Sequence, residues 1–387
     1  MTSMRKRFGH CMLGVLAVVS NSSALPASDF TPASLATIQT GLDQRVTADA
    51  FSGAVLIAQG GEVVFEHAFG AADREGNVTN DVKTRFRFGS MGKMFTATAI
   101  MQLVQAGKLH LQDPIGKIIP SYPNAEVAQV TIEQLLTHTG GTGDIFGPDF
   151  MEHRDQLKSL SDYVKLYGSR GVEFQPGSRH EYSNYGFILL GRVIEVVSGQ
   201  NYEDYVREHV FKAAGMNSTD NQPESSHVEH LAVGYTRGGR MGARGPGPGM
   251  PGRQGPPPQS NEPLRRADDS LPYRGTSAGG GYSTVEDLQK FASALVANRL
   301  LNAELTTTMT TGKVDTPRRG LRYAFGFEDE TTPRGTRRIG HGGGAPGMNG
   351  VLWIYPESGV VIVVLANMDP PAAQDVGRFI EAQLLMK

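Results

Sequence analysis

Apolar positions along the chain follow two periods. At Leu35, Ile38, Leu42 and Val46 they recur every three or four residues, which predicts an amphipathic helix over residues 31–50. Thr31 is placed to cap it, with Pro32 at the first helical position. Gly53–Gln59 and Glu62–Phe69 are β-like runs, and the Gly60-Gly61 pair between them predicts a hairpin. Arg85–Phe88 is a short strand-like run. After it, Met94–Val104 is apolar nearly all round and predicts a buried helix that ends at Ala106-Gly107. Helical spacing returns at 131–136, at Leu157–Tyr167, at Gly186–Val197 and at Tyr202–Phe211. Thr284, with Asp287 three positions on, predicts the start of a helix over Val285–Ala297, and a shorter one follows near Glu304–Thr310. Four β-like runs come next: Tyr323–Glu328, Arg337–Gly340, Val351–Tyr355 and Gly359–Ala366. An amphipathic helix over 372–386 closes the chain.

Strands near both ends with helices between them predict an α/β (α+β) architecture. In it an antiparallel sheet flanked by helices is built from both chain ends, and a mostly helical domain is inserted. The boundaries drawn are 28–85 with 275–387 for the sheet domain, and 86–274 for the helical domain. Residues 237–263 interrupt the pattern: Arg237-Gly238-Gly239-Arg240, Gly245-Pro246-Gly247-Pro248-Gly249 and Pro256-Pro257-Pro258 leave few apolar side chains to bury. They predict a disordered Gly/Pro/Arg-rich surface loop in preference to a nucleic-acid-binding segment.

Composition sharpens this picture in three places. With 387 residues a sizeable core can form, and a formal charge of −2 argues against nucleic acid as a partner. Arg5, Lys6 and Arg7, the apolar run Cys11–Val19, and Ser22-Ser23-Ala24 together predict a signal peptide over residues 1–24. The run is short for a bilayer span, so the expected product is periplasmic or secreted, with no stable membrane span after signal removal. The single cysteine, Cys11, lies within that leader, so the mature chain would have no disulfide, thiolate metal site or cysteine nucleophile. The ten histidines form no His-x-x-x-His pair beside a Glu, and no phosphate-binding glycine fingerprint opens a helix. No metal and no cofactor are expected.

The candidate chemistry starts at Arg85-Phe86-Arg87-Phe88-Gly89-Ser90-Met91-Gly92-Lys93. Ser90 is expected in the first turn of the buried helix. Lys93, three positions on, leaves the same face. A serine hydroxyl is a weak nucleophile without a neighbouring base. A desolvated lysine can be that base, because burial lowers its pKa. A helix start also offers free backbone N–H groups where an oxyanion would form. Tyr182 and Asn184, two apart on an expected extended loop, point the same way. His341-Gly342-Gly343-Gly344 follows a strand-like run, and its glycines allow close approach. His138, before a glycine-rich turn, is read as a backbone hydrogen-bonder.

With Ser90-Met91-Gly92-Lys93, Tyr182-Ser183-Asn184 and His341-Gly342-Gly343 in this order, the sequence resembles the serine β-lactamase and penicillin-binding-protein superfamily. The resemblance is to the branch with class C β-lactamases, D,D-carboxypeptidases, D-aminopeptidases and related esterases. Leu135–Gly141 and Ser277–Thr284 are similar to the same family. The resemblance implies that Ser90 is acylated and that Lys93 and Tyr182 share proton transfer, Tyr182 being made acidic by the Lys93 charge. It implies that Asn184 holds the substrate amide. It places His341, Gly342 and Gly343 in a substrate-binding wall on an edge strand, and the N–H groups of Ser90 and Gly344 in an oxyanion hole. The third motif commonly begins Lys-Thr. His341-Gly342 would grip a substrate carboxylate less firmly, which favours an esterase, amidase or peptidase. The implied function is an exported serine hydrolase acting on small-molecule or peptide-like acyl substrates. The alternative is a penicillin- or peptidoglycan-binding protein that acylates but turns over poorly.

Overall fold

The computed structural model describes residues 30–238, 263–267 and 271–384. The expected leader at 1–24, and residues 239–262 of the Gly/Pro/Arg-rich segment 237–263, lie outside the described residues. The predicted antiparallel sheet is present and has eight strands. Their spatial order is Glu62–Phe69, Gly53–Gln59, Val360–Ala366, Met348–Tyr355, Arg337–Ala345, Glu328–Thr331, Leu321–Tyr323 and Val314–Asp315. The first hairpin and the last strand are therefore hydrogen-bonded neighbours, with Gly53 opposite Ala366 and Gln59 opposite Val360. Both chain ends build one sheet.

Alternation along each strand feeds two cores. Val55, Ile57, Val351, Trp353, Ile362 and Val364 face the helices Pro32–Thr47 and Ala372–Leu384. Leu56, Leu352, Ile354, Val363 and Leu365 face the other way, into a larger core that holds helices Gly92–Gln105, Asn184–Ser198 and Val285–Val296. Period-two burial on both faces explains why Gly53–Ala58 and Val360–Ala366 read as continuous apolar runs.

Several element ends differ from the sequence pattern. Helix Leu160–Tyr167 starts three residues late, because Ser159 and Asp162 form a capping box there. The run Tyr323–Glu328 is not one strand: Ala324 N–H donates to Phe327 O (2.8 Å), and this turn separates Leu321–Tyr323 from Glu328–Thr331. The strand expected to stop at Gly340 continues through the glycines to Ala345. Its first half is interior, since 337–340 also pair with 328–331. From His341 to Ala345 it pairs only with Met348–Leu352, so the edge expected for this motif exists locally. Among the described residues no helix is long and apolar enough to cross a membrane.

Candidate active site

Ser90 lies in a single 3-10 turn, Gly89–Met91, immediately before the α-helix Gly92–Gln105. It is therefore one turn outside the α-helix proper. Gly89 has φ +54°, and a Cβ there would fall 2.8 Å from Gly344 N, so glycine is required on both counts. The helix that follows is buried on every side for most of its length, and Lys93 has no exposed surface. The strand at Gly343 lies directly on the Ser90 turn: a Cβ at 343 would sit 1.9 Å from Phe88 O and 2.9 Å from Ser90 N. That approach brings Gly344 to the rim of the same cleft as Ser90.

Lys93 Nζ meets three oxygens. It donates to Asn184 Oδ1 (2.8 Å) and to Ala278 O (2.7 Å), and it lies 3.3 Å from Ser90 Oγ. Burial pushes its pKa down to about 7, with the Asp144 carboxylate partly opposing. A neutral amine keeps two N–H donors for Asn184 and Ala278. Its lone pair is then free toward the serine hydroxyl. The Tyr182 ring lies 4.6 Å from Nζ.

The Tyr182 phenol does not behave as the sequence suggested. Burial drives its pKa up, and the Ser90 hydroxyl offsets only part of that. Tyr182 Oη also has no partner of good hydrogen-bond geometry. The expected acidification fails because desolvation outweighs the field of a lysine that is itself close to neutral.

Asn184 is the first residue of helix Asn184–Ser198 and not part of an extended loop. Ser183 caps that helix: its hydroxyl accepts from Gly186 N–H (2.9 Å) and is shared with Gly143 O and Thr142 Oγ1. Asn184 Nδ2 donates to both carboxylate oxygens of Asp144 (3.0 and 3.1 Å). This fixes the amide so that its carbonyl faces Lys93. Asp144 also accepts the N–H groups of Ile145 and Phe146. The sequence reading missed Asp144. Its only signal was its place just after the Leu135–Gly141 segment.

The third motif is arranged differently from a cleft-lining wall. His341 has no exposed surface. Its Nδ1 faces Gly342 O, which can only accept, so Nδ1 carries the proton and Nε2 accepts from Tyr323 Oη (2.9 Å). Burial and the nearby Lys93 hold its pKa down to about 3, so the ring is neutral. A Cβ at Gly342 would point toward Gln374 of the C-terminal helix, away from Ser90. Gly344 and Ala345 are the residues of this strand that line the cleft. His138 Nδ1 accepts the Ser183 N–H (3.1 Å), and its ring packs on Tyr182 and Tyr323. Tyr323 was not read as part of the site.

A serine beside a buried lysine, set between this sheet and these helices, defines a serine hydrolase of the β-lactamase and penicillin-binding-protein superfamily. The chain belongs to the beta-lactamase family, whose model matches residues 38–386. It is 29% identical to penicillin-binding protein 4 of Amycolatopsis lactamdurans over 318 residues, covering 78% of this chain and 77% of that one. Among solved structures it is similar to a penicillin-binding protein from Bacillus halodurans, with 32% identity, a TM-score of 0.75, and 88% and 99% of the two chains covered. It is also similar to a D-stereospecific amidohydrolase from Streptomyces sp., with 26% identity, a TM-score of 0.70, and 91% and 99% covered.

Proposed function

We propose that this protein is an exported hydrolase that cleaves esters or amides of peptide-like acyl groups, D-amino-acid derivatives included, through an acyl-Ser90 intermediate. The observation that carries this is the Lys93 amine, buried, near neutral, and 3.3 Å from Ser90 Oγ. Lys93 takes the Ser90 proton as Oγ attacks the carbonyl carbon. The N–H groups of Ser90 and Gly344 receive the oxyanion. The proton then passes to the leaving alcohol or amine, by way of Tyr182 or directly, and the carbon–leaving-group bond breaks. Water, activated by the same amine, releases the acid and restores Ser90. Asn184 and the free edge at Gly344-Ala345 hold the substrate backbone. Export rests on residues 5–24. The division into a sheet domain (28–85 with 275–387) and a helical domain (86–274), with the cleft between them, is part of the same reading. The similarity to a D-stereospecific amidohydrolase supports the substrate class.

A hydrolysis panel tests this: a chromogenic cephalosporin, a short-chain nitrophenyl ester and a D-Ala-D-Ala peptide, with wild type and Ser90→Ala. Turnover of at least one substrate that Ser90→Ala abolishes, without loss of fold, is the expected result. Unchanged turnover in the variant sinks the proposal. One observation favours a second reading, a binding protein that deacylates slowly. The Tyr182 phenol is held high and unpartnered, which leaves Lys93 alone to activate water. A fluorescent acylating probe separates the two, since label that persists on Ser90 without turnover supports the second.

A further inference from the structure

Three consecutive glycines carry the third-motif strand past the serine turn. From His341 to Ala345 that strand has a neighbour on one side only. Gly342, Gly343 and Gly344 bring no side chain to anchor it, and glycine backbone is the least restricted of any residue. An N–H group on such a run stabilises an oxyanion only if it is held in one direction beforehand.

Two successive carbonyls of the run are held by buried side chains. Gly342 O accepts from His341 Nδ1, and that ring is fixed at its other nitrogen by Tyr323 Oη (2.9 Å). Gly343 O accepts from Asn349 Nδ2 (2.7 Å). Asn349 has no exposed surface, and the direction of its amide is determined. Ala373 N–H donates to Oδ1 (2.7 Å), so the oxygen faces that donor and the nitrogen faces Gly343 O. Ala373 lies in the first turn of the C-terminal helix, where backbone N–H groups have no partner within the helix.

The Gly343 carbonyl and the Gly344 N–H belong to one peptide unit. The unit is planar and trans, so its C=O and N–H point opposite ways. Asn349 holds the oxygen end. The nitrogen end stands beside the serine turn, where a Cβ at Gly89 would fall 2.8 Å from Gly344 N. Whatever fixes the carbonyl therefore aims the donor.

We propose that Asn349 is a positioning residue for the reaction: by holding the Gly343 carbonyl it points the Gly344 N–H at the oxyanion, and through Ala373 it makes the start of the C-terminal helix part of the support. This rests on the hydrolase reading above and adds to it the group that aims one of its two oxyanion donors. Asn349 is shut away from the cleft and acts only through the strand.

The test compares folded wild type with Asn349→Ala and Asn349→Asp. The second variant keeps the size and an acceptor for Ala373 N–H but loses the donor to Gly343 O. Each is assayed with the panel substrate that wild type turns over best. Each is also titrated with phenylboronic acid, to which Ser90 Oγ adds, leaving a four-coordinate boron with a hydroxyl in the oxyanion's place. Both variants should lose at least about tenfold in kcat/KM and a similar factor in boronic-acid affinity. Ground-state binding should not follow: the affinity of the matching amide for Ser90→Ala should stay within about twofold when Asn349→Ala is added. Hydrogen exchange should quicken across residues 342–345 and stay unchanged in the hairpin Gly53–Phe69. A folded Asn349→Asp with kcat/KM and boronic-acid affinity within about twofold of wild type overturns the proposal and leaves the hydrolase reading standing. So does a loss of turnover matched by an equal loss of amide affinity, which would mark a merely structural role. If wild type turns over no panel substrate and does not bind the boronic acid, the hydrolase reading falls and this proposal falls with it.

Discussion

Lys93 is balanced between two charge states by groups the chain brings from four places. Burial favours the free amine, while Asp144, acting beyond Asn184, favours the cation. With a pKa of about 7, turnover should rise through an acid limb near pH 7 as the amine becomes able to accept the serine proton. Asp144→Asn removes the one charge that opposes burial, so the limb should move to lower pH in a kcat/KM profile. Tyr182→Phe should slow turnover and leave the limb in place; a wild-type limb that appears only above pH 9 would assign the titration to the phenol instead. The same group bears on folding. Its folded pKa lies below the ordinary lysine value, so the unfolded chain binds more protons between the two. Its contribution makes stability rise with pH from about 7 to 10.5, and the penalty is fully present below pH 7. Urea titrations at several pH values, compared between wild type and Lys93→Met, should show that slope only in wild type.

At the scale of the elements, two adjacent glycines on one strand have opposite tolerances. Gly343→Ala drives a methyl into Phe88 O and Ser90 N, so the strand must retreat from the serine turn. We expect at least about a hundredfold loss of kcat/KM and about 1–3 kcal/mol of stability. Gly342→Ala meets nothing nearer than the end of Gln374 at 3.5 Å, an ordinary contact, and its Tm should shift little. The sequence showed that this run allows close approach, but not which glycine is approached, since that depends on strand register. The hairpin Gly53–Phe69, the caps at Thr31 and Thr284 and the buried serine helix were all legible, because each depends on contacts within a few residues. Asn184 meets Lys93 from a helix N-terminus and not from the expected extended loop. Asp144 and Tyr323 were not legible. Their roles depend on partners far off in sequence, and nothing local distinguishes an aspartate that orients an amide from one that caps a turn.

At the scale of the whole molecule, Arg338 ties the strand that carries the third motif to its surroundings. It donates to Glu330 on the next strand (2.6 Å) and to Glu381 on the C-terminal helix (2.9 Å), and its guanidinium lies 3.8 Å over the Trp353 ring. All three charged groups are largely buried. Arg338→Met leaves Glu381 without its cation and Glu330 with Arg318 alone, and should cost about 3 kcal/mol in urea denaturation. Adding Glu330→Gln and Glu381→Gln should recover part of that loss.

The sheet that joins the two chain ends also sets a timetable. Ser90 and Lys93 leave the ribosome well before Gly344 and the strand that presses it against the serine turn. The first hairpin must wait for Val360–Ala366 before its open edge is covered. A growing chain that has passed Lys93 but not reached Gly344 therefore lacks the strand that presses on the serine turn and, in the function proposed, one of the two oxyanion donors. Contacts this distant in sequence also slow folding.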